Sequence, residues 1–140
     1  MDGVSAVASV VALIEISVKV ASLCAEYYSY MKSAEKDIDQ FHLEVKALIK
    51  VLQNLYQLAQ KPGAAKLFTL NALGQYIKSC KSELTHIKER LEPGNGQKTM
   101  SRIGIRALKW PFENKELAKV MNVLGRYKSI FSIALNVDQT

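Results

Sequence analysis

Ile38, Phe41, Val45, Leu48, Leu52, Leu55 and Ala59 follow one another at alternating steps of three and four. Side chains spaced this way share one face of an α-helix, because 3.6 residues complete a turn, whereas a strand would need a period of two. The same step returns in Leu70, Leu73, Ile77, Cys80, Leu84, Ile87 and Leu91, and again in Leu117, Val120, Leu124, Tyr127, Phe131 and Ala134. Backbone breakers fall between these stripes: Pro62-Gly63, Pro93-Gly94-Asn95-Gly96 and Pro111. Several striped helices joined by turns predict an all-α, antiparallel bundle of four to five helices. With 140 residues, of which 49% are apolar and 23% charged, the chain suits one domain over residues 1–140 with a sizeable core.

The spacing predicts helices over roughly residues 35–60, 64–92 and 114–137. Ser33, or Asp37 with Gln40 three residues on, would cap the first of these, and Asn114 the last. The short link at residues 61–63 predicts that the helices on either side pair as an antiparallel hairpin. Between residues 97 and 113 the pattern is least regular; Ile103, Ile105 and Leu108 suggest a short turn that Pro111 stops.

Ahead of these stands a block of different character, residues 4–31. Gly3 to Ile14 holds no charge and is rich in Val and Ala. Val4, Val7, Val10, Val11, Ile14, Val18, Ala21 and Ala25 recur mostly at three and four, and Leu13, Ile16 and Val20 widen the stripe. A helix apolar over most of its circumference is buried on most sides. Asp2 stands where a secretory signal would carry basic residues, and Glu15 and Lys19 interrupt the run that a spanning helix needs. We therefore expect an unusually apolar first helix on a soluble domain. Its release would bring Val4, Val7, Val10, Val11 and Ile14 to a bilayer.

Charge is unevenly spread. Residues 1–92 carry 11 Lys/Arg against 10 Asp/Glu, while residues 93–140 carry 8 against 3 and hold most of the +6. Lys98, Arg102, Arg106 and Lys109 recur at helical spacing before Trp110 and Phe112, which makes Arg102, Arg106 and Lys109 the candidate contacts for anionic lipid. The plainer reading keeps those charges in water and makes Trp110 and Phe112 core anchors. Tyr27, Tyr28 and Tyr30 would close one end of the bundle.

Catalytic signatures are missing from the sequence. His42 and His86 lie far apart, and no HExxH, CxxC, phosphate-binding loop or nucleophile elbow occurs. Cys24 and Cys80 sit within apolar patterns and read as buried and reduced. We expect no enzyme, no metal, no cofactor, no small-molecule substrate and no nucleic-acid partner. What remains is interaction, either with anionic membrane or with a second copy or a like helical domain.

Three segments carry a resemblance. The opening MDGVSAVASVVALIEISVKV, the run Phe41-His42-Leu43-Glu44-Val45 leading into Leu48, Leu52 and Leu55, and LKWPFENKELAKVMNVLGRYKSIFSIAL near the end resemble the fungal HeLo-like N-terminal domains of STAND-type, NLR-like receptors. The likeness implies a cytoplasmic effector domain of programmed cell death, in heterokaryon incompatibility and innate immunity. In such receptors it is followed by a nucleotide-binding module and a repeat sensor. It further implies oligomerisation, release of the segment from Val4 to about Val20, and damage to the plasma membrane. A like domain that only recruits a partner, without touching lipid, is the alternative.

Overall fold

The computed structural model describes residues 3–30, 35–61, 64–92 and 110–139, and within these the side chains of residues 3–5, 30, 35, 64–69 and 137–139 are not described. Among the described residues it holds four helices and no strand. These are α1 (Gly3–Tyr30), α2 (Glu35–Gln60), α3 (Ala64–Leu91) and α4 (Asn114–Gln139). The all-α bundle expected from the sequence is therefore the fold. Ser33, Pro62-Gly63, Pro93 to Gly96 and the turn around Ile103 to Leu108 lie outside the described residues.

The stripes of α2 and α3 are buried along their whole length, every residue from Ile38 to Ala59 and from Leu70 to Leu91 in the two series. In α4, Leu117, Leu124 and Phe131 are buried, while Val120, Tyr127 and Ala134 pack at the core's edge. Phe41, Phe131, Leu13, Ile38, Leu48 and Leu52 are among the largest fully enclosed side chains of the core.

In α1 the buried face is rotated from the expected one. Ala6, Val10, Leu13, Ser17, Val20, Cys24 and Tyr27 face the core at steps of four and three. Val18 is 49% exposed and Ala25 is exposed, whereas Val7, Ile14 and Ala21 are half-buried at the margin. The apolar residues of this helix surround its axis, so periodicity alone could not choose between two overlapping stripes. Leu23 and Tyr27 decided it, since the bulkiest side chains take the interior. Ser17 joins them at no polar cost, because its hydroxyl donates to the carbonyl of Leu13 at 2.8 Å.

The expected hairpin is also corrected. α2 and α3 run antiparallel but meet only slightly; α1 packs against both, and α4 packs on α2 and less on α3. Around the bundle the order is α1, α2, α4, α3, so that α2 and α3 stand on a diagonal. Directions follow from the ends: Tyr27 reaches Leu91, and Phe41 stacks near Phe112, so α1 parallels α3 and α2 parallels α4. The reason is apolar area. A helix that is apolar on most sides accepts two neighbouring stripes, which a two-helix hairpin cannot offer.

Candidate functional site

Two surfaces of α1 and one end of the bundle carry what the fold offers for function. Ala6–Ser29 is long and apolar enough to cross a membrane by length and composition, yet only 33% of its most apolar window is buried. Of the residues expected to enter a bilayer, Val10 is fully buried, and Val7, Val11 and Ile14 are half-buried. Val4 belongs to α1, but its side chain lies outside the described residues. Glu15 and Lys19 point outward from the middle of the helix and are exposed.

The end of α1 is held by a cluster of rings. Tyr27 meets Trp110 edge to face at 5.3 Å between centroids, Trp110 meets Phe112 at 5.4 Å, and Phe41 meets both at 6.1 and 5.9 Å. The Tyr27 hydroxyl donates to the Leu91 carbonyl at 3.0 Å, at the last turn of α3, where carbonyls lack helical partners. Burial raises the Tyr27 hydroxyl above the usual tyrosine range, with Cys24 nearby adding to it. Tyr27 and Phe112 fill the bundle's end as the sequence suggests, and Trp110 packs against that core half-buried.

Arg90 ties the rings down. Its guanidinium lies 4.4 Å over the Phe112 ring, donates to the Pro111 carbonyl and pairs with Glu116. Glu116 also accepts from the backbone N–H of Glu113, whose own carbonyl takes the first helical bond of α4 from Leu117 at 2.8 Å. Glu113 is therefore the residue that caps α4, in place of the expected Asn114, and Glu116 is its partner three residues on. The hydrogen bond from Arg90 holds the Glu116 carboxyl below the usual glutamate range. On the far side, Lys128 pairs with Glu44 at 3.2 Å and joins α4 to α2.

Arg102, Arg106 and Lys109 lie outside the described residues. Sequence reasoning missed a basic surface that the structure does describe. Lys115, Lys119, Asn122, Arg126, Ser129 and Ile133 form the outward stripe of α4, and all are exposed, Ile133 to 62%. Its signal is three cations at steps of four and seven, sparser than the run before Trp110. α4 stands across the bundle from α1.

Among the described residues no group of His, Cys, Asp or Glu is placed to hold a metal. Cys24 and Cys80 are buried, free thiols pushed up to about 12 by burial, far from the thiolate a nucleophile needs. His86 lies with Lys78, Lys81, Ser82, Thr85 and Glu89 along an open, shallow face of α3.

No curated protein and no solved structure matches the chain. A family does: residues 1–138 match the N-terminal domain of pigment biosynthesis cluster protein PigL, a fungal domain related to the HeLo-like group. A helical bundle led by a long apolar helix, matched over nearly all its length, belongs to the PigL N-terminal domain family.

Proposed function

We propose that this domain is a non-catalytic, membrane-targeting effector of the HeLo-like kind, in which α1 is stored in the bundle and delivered to an anionic bilayer on oligomerisation. The observation that carries it is α1 itself, a helix long and apolar enough for a membrane with only 33% of its most apolar window buried. Release is expensive at rest. Uncovering Val10, Leu13, Val20 and Leu23 at ~1.5–3 kcal/mol each costs about 6–12 kcal/mol, so fewer than ~1 in 10,000 molecules would expose α1 unaided. A bilayer that receives the same side chains returns that energy, and clustering supplies the bias.

Glu15 and Lys19 shape the delivery. They fall near the middle of Ala6–Ser29, where each charge costs ~2.5–3.5 kcal/mol in a spanning helix. A seat in the headgroup region, with the Glu15 and Lys19 side toward water and the former core face in the acyl chains, avoids that cost. The outward stripe of α4 supports the first approach, since Lys115, Lys119 and Arg126 each contribute about 1 kcal/mol at an anionic surface. In this reading the protein acts at the plasma membrane in fungal programmed cell death, taking no cofactor, nucleic acid or small-molecule substrate.

The test is dye release from anionic liposomes, with the domain as purified and after forced dimerisation. Release should rise on dimerisation and fall at least ~10-fold in a Val7→Asp/Ile14→Asp variant, at the half-buried margin of the former core face, that keeps its helical signal. Undiminished release by that folded variant would overturn the role of α1. Absence of binding and release in both states would leave the alternative of a helical domain that recruits a like domain without lipid.

A further inference from the structure

The outward face of α1 is spaced to meet a copy of itself. Ala8, Ala12, Glu15, Lys19, Ser22 and Glu26 follow one another at steps of four, three, four, three and four. All are exposed except Ala12, which is half-buried. The positions map onto themselves when the helix is turned end over end about residue 17. Glu15 then falls opposite Lys19, anion against cation, and Ala12 falls opposite Ser22, small against small. Ala8 falls opposite Glu26, where a methyl group leaves room for the longer chain to lie flat and keep its carboxylate in water.

Three further observations suit this stripe to a helix partner. Glu15 and Lys19 stand four apart in the order that favours a pair within one helix, yet neither forms an ion pair among the described residues. Val11, Val18 and Ala25 run beside the stripe, with Val18 49% exposed, so the flank that a second helix would cover is apolar. The uncharged positions of the stripe, Ala8, Ala12 and Ser22, are all small, which lets two backbones approach closely.

We propose that this face is a homotypic interface, in which α1 of one copy docks antiparallel on α1 of a second, with two reciprocal Glu15–Lys19 ion pairs flanking the two-fold axis. The geometry is isologous, as closed two-fold dimers require. The charge complementarity that selects the partner is the face's own, since inversion about residue 17 brings each of its two central charges onto its opposite. One helix pair lies at the small end of specific interfaces, below about 1,200 Å², so the dimer is weak and forms as concentration rises. It uses α1 seated in the bundle and needs no lipid, so it stands or falls apart from the membrane reading. It also leaves the outward stripe of α4 free, on the opposite side of the bundle.

The experiment is sedimentation velocity of the full chain from ~5 to ~300 µM without lipid, for the unmodified protein and for Glu15→Lys and Lys19→Glu. The unmodified protein should pass from monomer to dimer across that range. Each variant alone should remain monomeric at the top of it, since like charges then face each other twice. An equimolar mixture of the two should dimerise again. There the Glu15→Lys chain offers two cations and the Lys19→Glu chain two anions, so both central pairs are restored. Circular dichroism of each variant should match the parent, both positions being exposed. A monomeric parent at ~300 µM, variants that dimerise as well as the parent, or a mixture that stays monomeric would each overturn the proposal.

Discussion

Trp110 carries a buried indole N–H that meets no acceptor among the described residues, while its ring touches Tyr27, Phe41 and Phe112. An unpaired buried donor costs about 1–3 kcal/mol, so the ring's packing has to exceed that. Trp110→Phe, which keeps much of the ring and removes the donor, should change stability by less than ~1 kcal/mol in chemical denaturation. Trp110→Ala should lose about 3–5 kcal/mol by the same measurement. The thiols give a second expectation at this scale. With Cys24 and Cys80 held near 12, roughly one thiolate in ten thousand exists at pH 8. Iodoacetamide should leave both unmodified in the folded protein and label both in urea, as read by mass spectrometry. Two labels appearing without denaturant would contradict the burial.

At the scale of one element, α1 separates two kinds of valine. Val10 is fully enclosed, and Val18 is 49% exposed on the other side. Val10→Asp places an unpaired carboxylate in the core and should unfold the bundle or cost it more than ~3 kcal/mol. Val18→Asp should stay within ~0.5 kcal/mol of the parent in thermal melts. This is why the membrane test above leaves Val10 alone and uses Val7 and Ile14, which are half-buried at the margin of the core face. Equal melting temperatures for the Val10 and Val18 variants would contradict the observed rotation of α1.

Across the whole molecule, two groups near the bundle's end, His42 and Glu116, tie stability to pH. Burial and the neighbouring Lys46 lower the imidazole of His42, with Asp39 opposing. A histidine lowered in the folded state binds its proton more readily when unfolded. Its contribution is therefore present above about pH 6.5 and lost as pH falls from there toward the folded value. Glu116 is lowered chiefly by its bond from Arg90, so its contribution is present above the ordinary glutamate range and lost only below it. Stability against urea should thus fall in two stages on acidification. His42→Gln should flatten the first and Arg90→Ala the second, while Arg90→Ala also loosens Phe112 and red-shifts the emission of Trp110, the single tryptophan. A pH profile unchanged by both substitutions would refute these assignments.

How much of this was legible before folding differs by element, for one physical reason. In α2 and α3 most positions off the stripe are polar, so the three-four step named the buried face residue by residue, Ile38 to Ala59 and Leu70 to Leu91. Phe112 as a core anchor is one of two readings of the Trp110-Pro111-Phe112 corner, the other placing it at a lipid surface, and the fold buries it. In α1 the apolar residues surround the axis, and the sequence left several faces equivalent. Contacts with α2 and α3 chose the one through Leu13, Val20 and Tyr27, and so decided which residues look outward. The lock at Arg90 joins residues 26 apart through Glu116, a pairing without local signal. By itself the sequence determined that the chain would be helical, where each helix would run and which stripes of α2 and α3 would be inside, because those follow from local periodicity. Only the tertiary structure decided that α2 and α3 stand on a diagonal and that α1 turns Glu15, Val18 and Lys19 to solvent, because those depend on how helices share apolar area.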